Sequence, residues 1–342
     1  MPSPAGRRIQ QPTMEDVAAA AGVSRALVSL VMRDSPRASA KARTAVHEAA
    51  AILGYRRNLA ASNLAAHRTM TIGLLLNDLH NPWFAEVADG VHAVAERHGY
   101  QVILANGRRS PAVESRGVDT FLASRVDGIL VAGCRLPLHR LKEVAGEVPL
   151  VSAGRSLTDA MVGSVSADDA EGARLAVQHL HALGHCRIAH VDGGRGASSA
   201  TRRAGYISAM RAIGLGEHVR VIGGDFTEEA GNRAGRRLLR DGDLPTAFFT
   251  ANDLSAVGII DALDDAGLAV PGVVSVVGYD NTAFAALNHI GLTTIDQPSN
   301  RMGRVAATML LDKLTGAGNL AHVLMRPQLV VRSTTGPCRA TT

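Results

Sequence analysis

At 342 residues the chain exceeds one typical domain of ~100–200 residues, which predicts two or three compact units with a substantial core. Hydrophobic residues make up 46% but aromatic ones only 3%, so the core must be built from Ala, Val, Leu and Ile, and every aromatic ring is worth locating. The net charge is +5, yet residues 1–70 hold ten Lys/Arg against four acids, which places the whole basic excess at the start and predicts a polyanionic partner there. Three scattered cysteines (Cys134, Cys186, Cys338) and the lack of a leader-like segment or a run of about 18 apolar residues argue against secretion, a membrane span and a disulfide framework; a reducing cytoplasm is expected.

The first elements in chain order are three short helices between Thr13 and Leu53. Thr13 and Asp16 form a capping-box-like pair, and Val17, Ala18 and Ala21 supply an apolar stripe. Gly22-Val23 makes a turn, and Ser24 caps a second helix with Leu27, Val28 and Val31 inward and Arg25, Ala26, Ser29, Met32 and Arg33 outward. A third helix runs from about Ser39 to Leu53 and stops at Gly54. Two helices joined by such a turn make a helix-turn-helix, whose second helix can enter the major groove. Arg25 is placed to pair with a guanine, while Ser24, Lys41 and Arg43 suit phosphates.

The run from Thr13 to Ser24, then Val28-Ser29 and Leu53-Gly54-Tyr55-Arg56-Arg57-Asn58, resembles the headpiece of the LacI/GalR family. The resemblance implies a DNA-facing set of Thr13, Ser24, Arg25, Ala26, Ser29, Lys41, Arg43 and Tyr55, followed by a hinge helix from Asn58 to about Ala66. In that hinge Leu64 would wedge into the minor groove, with Ser62 and Asn63 near the base edges. So short a helix is marginal alone and should order only when paired. Arg57, Leu27 and Leu30 depart from residues common in relatives, so the operator sequence does not carry over.

Beyond Thr71 short apolar runs alternate with amphipathic stretches. Strands are expected at 71–76, 101–105, 128–132, 150–152, 187–191, 219–222, 247–250 and 273–277, and helices at 84–98, 168–183, 198–213, 228–240 and 253–266. Such alternation predicts parallel sheets with helices on both faces, and the strand count predicts two similar subdomains. Ligands bind such folds at the carboxyl ends of strands. There lie Trp83, Phe84 and Phe226 together with Arg155, Asn252, Asp253, Asp280 and Gln297, an apolar wall and a polar set that suit a sugar or polyol.

Asn81-Pro82-Trp83-Phe84, the segment Arg202 to Tyr206, Asn252-Asp253, Gly278-Tyr279-Asp280 and the segment Thr293 to Pro298 are similar to ligand-binding segments of the same family and of periplasmic ribose-type binding proteins. The resemblance implies that Trp83, Phe84, Arg155, Arg202, Phe226, Asn252, Asp280 and Gln297 face the effector, with a departure at Gly154 where some relatives carry aspartate. The expected fold is α/β with a small all-α headpiece: a helix-turn-helix DNA-binding domain (1–56), a hinge and linker (57–69), a two-subdomain periplasmic-binding-protein-like (type I) effector and dimerisation domain (70–336) and a tail (337–342). The expected partners are a palindromic double-stranded operator, a small effector of the monosaccharide or polyol class, and a second copy of the chain, with no membrane. The tail has no leucine heptad, so a dimer is the default.

Other chemistries fit less well. Gly193-Gly194-Arg195-Gly196 lacks dinucleotide-binding spacing. His179, His181 and His185 do not share a helix face and read as a surface helix end rather than a metal site. With no nucleophile elbow, paired-carboxylate context or cofactor motif, an enzyme on this scaffold is disfavoured. A sugar-binding module without a DNA role remains the alternative, and the basic headpiece speaks against it.

Overall fold

A computed structural model describes residues 12–32, 35–55 and 68–338 and divides into two compact units, residues 1–69 and 70–342. The first unit holds α1 (Met14–Ala21), α2 (Arg25–Val31) and α3 (Ala40–Leu53). Thr13 closes a full capping box with Asp16, and the left-handed Gly22 ends α1. Ser24 and Ser39 cap α2 and α3 by accepting from Leu27 N and Ala42 N, and Gly54 ends α3. Val17, Val28, Val31 and Val46 are fully buried at the centre, whereas Leu27, expected inward, is only half-buried at its edge.

The second unit contains two six-stranded sheets. The first takes β1 (Thr71–Leu76), β2 (Gln101–Asn106), β3 (Gly128–Ala132), β4 (Leu150–Ala153), β5 (Val162–Ala167) and the late strand His322–Met325, all parallel. The second takes β6 (Ile188–Val191), β7 (Arg220–Ile222), β8 (Ala247–Thr250), β9 (Ser275–Asp280), β10 (Thr293–Asp296) and Gln328–Val330, parallel except for the last. Each sheet runs second-first-third-fourth-fifth in its main strands, so each has a switch point between its first and third.

Helices cover both faces of both sheets, which is why the central strands are buried at every position but the first residue of β1. Pro82–Arg97 and Ser299–Thr315 pack on one face of the first sheet, Pro111–Ala123 and Leu138–Ala145 on the other. Asp169–Ala182 and Ser199–Ala212 cover one face of the second, Glu228–Asp241 and Asp253–Asp265 the other. The chain crosses between subdomains near residues 168, 297 and 327, and Asp168 N donates to Met325 O at 2.9 Å to tie two crossings together.

Several elements differ from expectation. The helix expected at Phe84 starts at Pro82, because Asn81 caps it and proline suits the first helical position. β5 was not anticipated, since glycine and serine interrupt its valines, nor were β10, the two late strands of three and four residues, or the helices Pro111–Ala123, Leu138–Ala145 and Ser299–Thr315. His185 is a correction: it is buried, not at the surface, and its Nε2 lies 3.0 Å from Ser275 Oγ and 3.1 Å from Gly336 O. His179 meets Thr335 Oγ1 at 2.9 Å, so these histidines seat the C-terminal segment.

His190 is enclosed between the rings of Tyr206 and Phe249, and burial, aided by the Arg202 charge, pushes its pKa down to about 4. The unfolded chain protonates it near 6.5, so its contribution is fully present above that pH and is lost as pH falls toward 4. Thermal melts should show a His190→Phe variant losing less stability than the parent over that interval, by up to about 3 kcal/mol. Parallel curves would mean that His190 does not titrate on unfolding.

Candidate functional site

A cavity of about 70 Å³ lies between the carboxyl ends of the two sheets. From the first sheet it takes Asn77, Asp78, Asn81, Trp83 and Phe84 after β1, Arg109 after β2, and Gly133 and Arg135 after β3. From the second it takes Gly196, Ala197, Ser198 and Arg202 after β6, Asp225 and Phe226 after β7 and Asp280 at the end of β9. Both switch points therefore open into one space, the position at which open parallel sheets bind ligands.

Three rings wall this space. Trp83 and Phe84 stand edge to face with centroids 4.8 Å apart. A Cβ at Gly154 would sit 2.5 Å from the Trp83 ring, at a residue whose φ is +76°. An aspartate at position 154 is thus incompatible with this placement of Trp83, which gives the departure noted in the sequence a steric reason. Phe226, at φ +69°, lays its ring over Gly193 and Gly196, where a Cβ would lie 2.0 and 2.1 Å from it. That glycine loop serves ring packing.

Polar groups fill the floor. Arg202 is buried; its Nη2 and Nε donate to Asp169 Oδ1 at 2.7 and 3.2 Å, its Nη1 to the Ala251 carbonyl, and its guanidinium carbon lies 3.3 Å from the Tyr279 ring centroid. Gln297, on a crossing segment, donates through Nε2 to Asp280 Oδ1. Burial, reinforced by the neighbouring Asp253 carboxylate, raises the pKa of Asp280 well above the usual range, with the Arg202 charge opposing. Asp253 itself is pushed up to about 6 by burial, against hydrogen bonds from Thr294 and Thr282.

Of the eight residues expected at the effector, the structure brings Trp83, Phe84, Arg202, Phe226, Asp280 and Gln297 to the cavity wall. Arg155 and Asn252 are not in its lining. Arg155 instead donates to the carbonyls of Leu136 (2.5 Å) and Cys134 (3.4 Å), bracing the loop after β3. Asn252 caps the helix at Asp253 and donates to Phe226 O at 2.9 Å, so it holds the strained backbone under that ring. The sequence reading missed Asn77, Asp78, Arg109, Arg135 and Asp225. Their position just after strand ends was the available signal, but loop charges carry no periodicity. Arg109 lies 3.5 Å from Asp78 and 3.9 Å from Asp225, which belongs to the other subdomain.

In the headpiece, Arg25 and Ala26 are exposed on α2 and Ser29 is half-buried. Arg25 Nε pairs with Glu15 at 3.0 Å. Thr13 and Ser24 serve as caps, Lys41 is exposed and Tyr55 is half-buried. Arg43, expected at a phosphate, donates through Nη2 to Ser35 O at 2.5 Å and so also braces the loop before α3. Asn58, Ser62, Asn63 and Leu64 lie outside the described residues. Among the described residues no helix is long and apolar enough to cross a membrane, and no group of three His, Cys, Asp or Glu is placed to hold a metal ion.

Comparison with known proteins agrees with this division. Residues 13–58 match the bacterial regulatory proteins of the lacI family, and residues 177–335 match the periplasmic binding protein-like domain. The chain is 32% identical over 331 residues to the HTH-type transcriptional repressor CytR of Escherichia coli K12, covering 94% of this chain and 96% of the relative. The lac repressor dimer bound to operator and the anti-inducer ONPF superposes with a TM-score of 0.85 at 30% identity, covering 96% of this chain and 100% of that one. The complex of the transcriptional regulator CelR with cellobiose gives 0.70 at 34% identity, covering 94% and 99%. The chain belongs to the LacI family, as a DNA-binding transcriptional regulator rather than an enzyme, with a helix-turn-helix headpiece and a periplasmic-binding-protein-like domain of two subdomains.

Proposed function

We propose that the protein is a homodimeric repressor of a palindromic operator, controlled by a monosaccharide or related polyol bound between its two subdomains. The observation that carries the effector reading is the cavity itself: three aromatic rings and a set of amide, guanidinium and carboxyl groups meet where both sheets present their switch points. A sugar needs both surfaces, rings for its C–H faces and polar groups for its hydroxyls. That a relative of similar fold binds cellobiose, and that the lac repressor binds operator as a dimer, supports the same reading.

In this reading residues 1–56 form the headpiece, 57–69 the hinge and linker, 70–336 the effector and dimerisation domain, and 337–342 the tail. Arg25 and Ala26 face base edges; Thr13, Ser24, Ser29, Lys41, Arg43 and Tyr55 lie along the backbone contacts; Asn58, Ser62, Asn63 and Leu64 serve the hinge. Effector binding changes DNA affinity only through different affinity for two arrangements of the subdomains. Arg155 and Asn252 act on the effector through the loop and the ring that they brace.

A Leu64→Ala variant should bind a palindromic operator at least roughly tenfold more weakly in gel shifts, since an apolar wedge is needed to hold a kinked base step. Equal binding would remove the wedge role, and no binding by the parent even at low salt would remove the DNA reading altogether. In the cavity, Asp280→Ala should weaken the sugar that calorimetry identifies by roughly 10- to 100-fold, the worth of one or two polar contacts. Unchanged affinity, or a parent that binds only bases or nucleosides, would sink the assignment.

A further inference from the structure

The charges around the cavity do not all have partners. Arg202 has Asp169, and Arg109 has Asp78 and Asp225. Arg135, among the described residues, has no carboxylate within ion-pair reach of its guanidinium. Its Nη1 donates to the Arg109 carbonyl at 2.8 Å, and its Nε is buried with no acceptor. The nearest acid, Glu114, is fully buried and spends its oxygens on the Arg135 backbone N (2.9 Å), Asn77 Nδ2 (3.1 Å) and the Cys134 thiol. It fixes the loop that carries Arg135 but accepts no hydrogen bond from the guanidinium; burial opposes that cation, and the charges of Glu114 and Asp225 stabilise it only from beyond ion-pair distance. A second donor, Trp83 Nε1, is also buried in the cavity wall without a partner.

Unused donors thus gather in one cavity, one of them a half-buried cation. A ligand that fills the space expels the water still solvating Arg135, and burying an unpaired charge costs several kcal/mol. A neutral sugar returns hydroxyl oxygens but no charge. A carboxylate returns one negative charge and two acceptor oxygens, which match a guanidinium edge. A phosphate monoester carries about −1.5 to −2 near neutral pH and would leave excess charge beside Asp78 and Asp225. The cavity of about 70 Å³ is well above the ~10–15 Å³ that a single water needs, so there is room for a small ligand rather than one ordered water.

We propose that the effector is a monosaccharide acid, an aldonate or uronate, whose one carboxylate is bound by Arg135 with Trp83 Nε1 donating to a second ligand oxygen. This rests on the sugar or polyol reading of the cavity and narrows it.

The test is calorimetry on the full chain with D-gluconate, D-glucuronate and D-galacturonate, each against D-glucose or D-galactose, and with glucose 6-phosphate. The expected result is at least one acid bound tenfold or more tightly than its neutral counterpart, with that ratio falling toward one in Arg135→Gln. A neutral sugar bound as tightly as its acid overturns the carboxylate assignment and leaves the sugar reading standing, as does a preference for the phosphate. An acid preference that survives Arg135→Gln overturns the role of Arg135. No binding across the whole panel overturns the sugar reading and the carboxylate with it. The parent comparison needs no variant, so a poorly folded Arg135→Gln does not spare the proposal.

Discussion

The buried guanidinium of Arg202 is the contact on which the effector domain depends. It joins Asp169, directly after the first crossing between subdomains, to the Ala251 carbonyl beyond β8 and the Tyr279 ring in β9. A charge so deeply placed is tolerable only because every nitrogen has a partner, and removing one partner of such a pair typically costs ~3–5 kcal/mol. The same residue forms part of the cavity wall. A change at this position would therefore disturb the crossing and the cavity together.

Backbone strain marks the same region. Phe226 and Asp280 both have positive φ, at +69° and +119°, and so does Asn281 at +55°. Non-glycine residues hold such conformations at a cost of ~1–3 kcal/mol each and only where surroundings over-determine them. The surroundings are identifiable: Asn252 holds the Phe226 carbonyl, Gln297 holds the Asp280 carboxyl and Arg332 donates to Asn281 Oδ1 at 2.7 Å. Gly193 and Gly196 then make room for the Phe226 ring, as Gly154 does for Trp83.

Much of this was legible in the sequence because periodicity reports burial. The long apolar runs gave the central strands within a few residues, and capping residues gave the headpiece helices almost to the residue. Strand-end aromatics gave the walls of the cavity. What stayed hidden was of two kinds: β5, β10, the two late strands and the loop charges Arg109, Arg135 and Asp225, which are too short or too irregular to show a period, and the helices Pro111–Ala123, Leu138–Ala145 and Ser299–Thr315, which are amphipathic but were not singled out. Arg155 and Asn252 stand beside the cavity in sequence, but their side chains spend their donors on nearby carbonyls. Only the folded backbone distinguishes a residue that faces a ligand from one that holds its neighbour.

The scarcity of aromatic residues has a spectroscopic side. The chain has one tryptophan, and it is Trp83. Its indole is 5% exposed, stands against Phe84, and contributes an unpartnered N–H to the cavity wall. Indole emission responds to local polarity and to hydrogen bonding at that nitrogen. All of the protein's tryptophan fluorescence therefore originates in the wall of this cavity, so emission from the unmodified chain reports on the cavity alone, with no labelling and no background from a second indole.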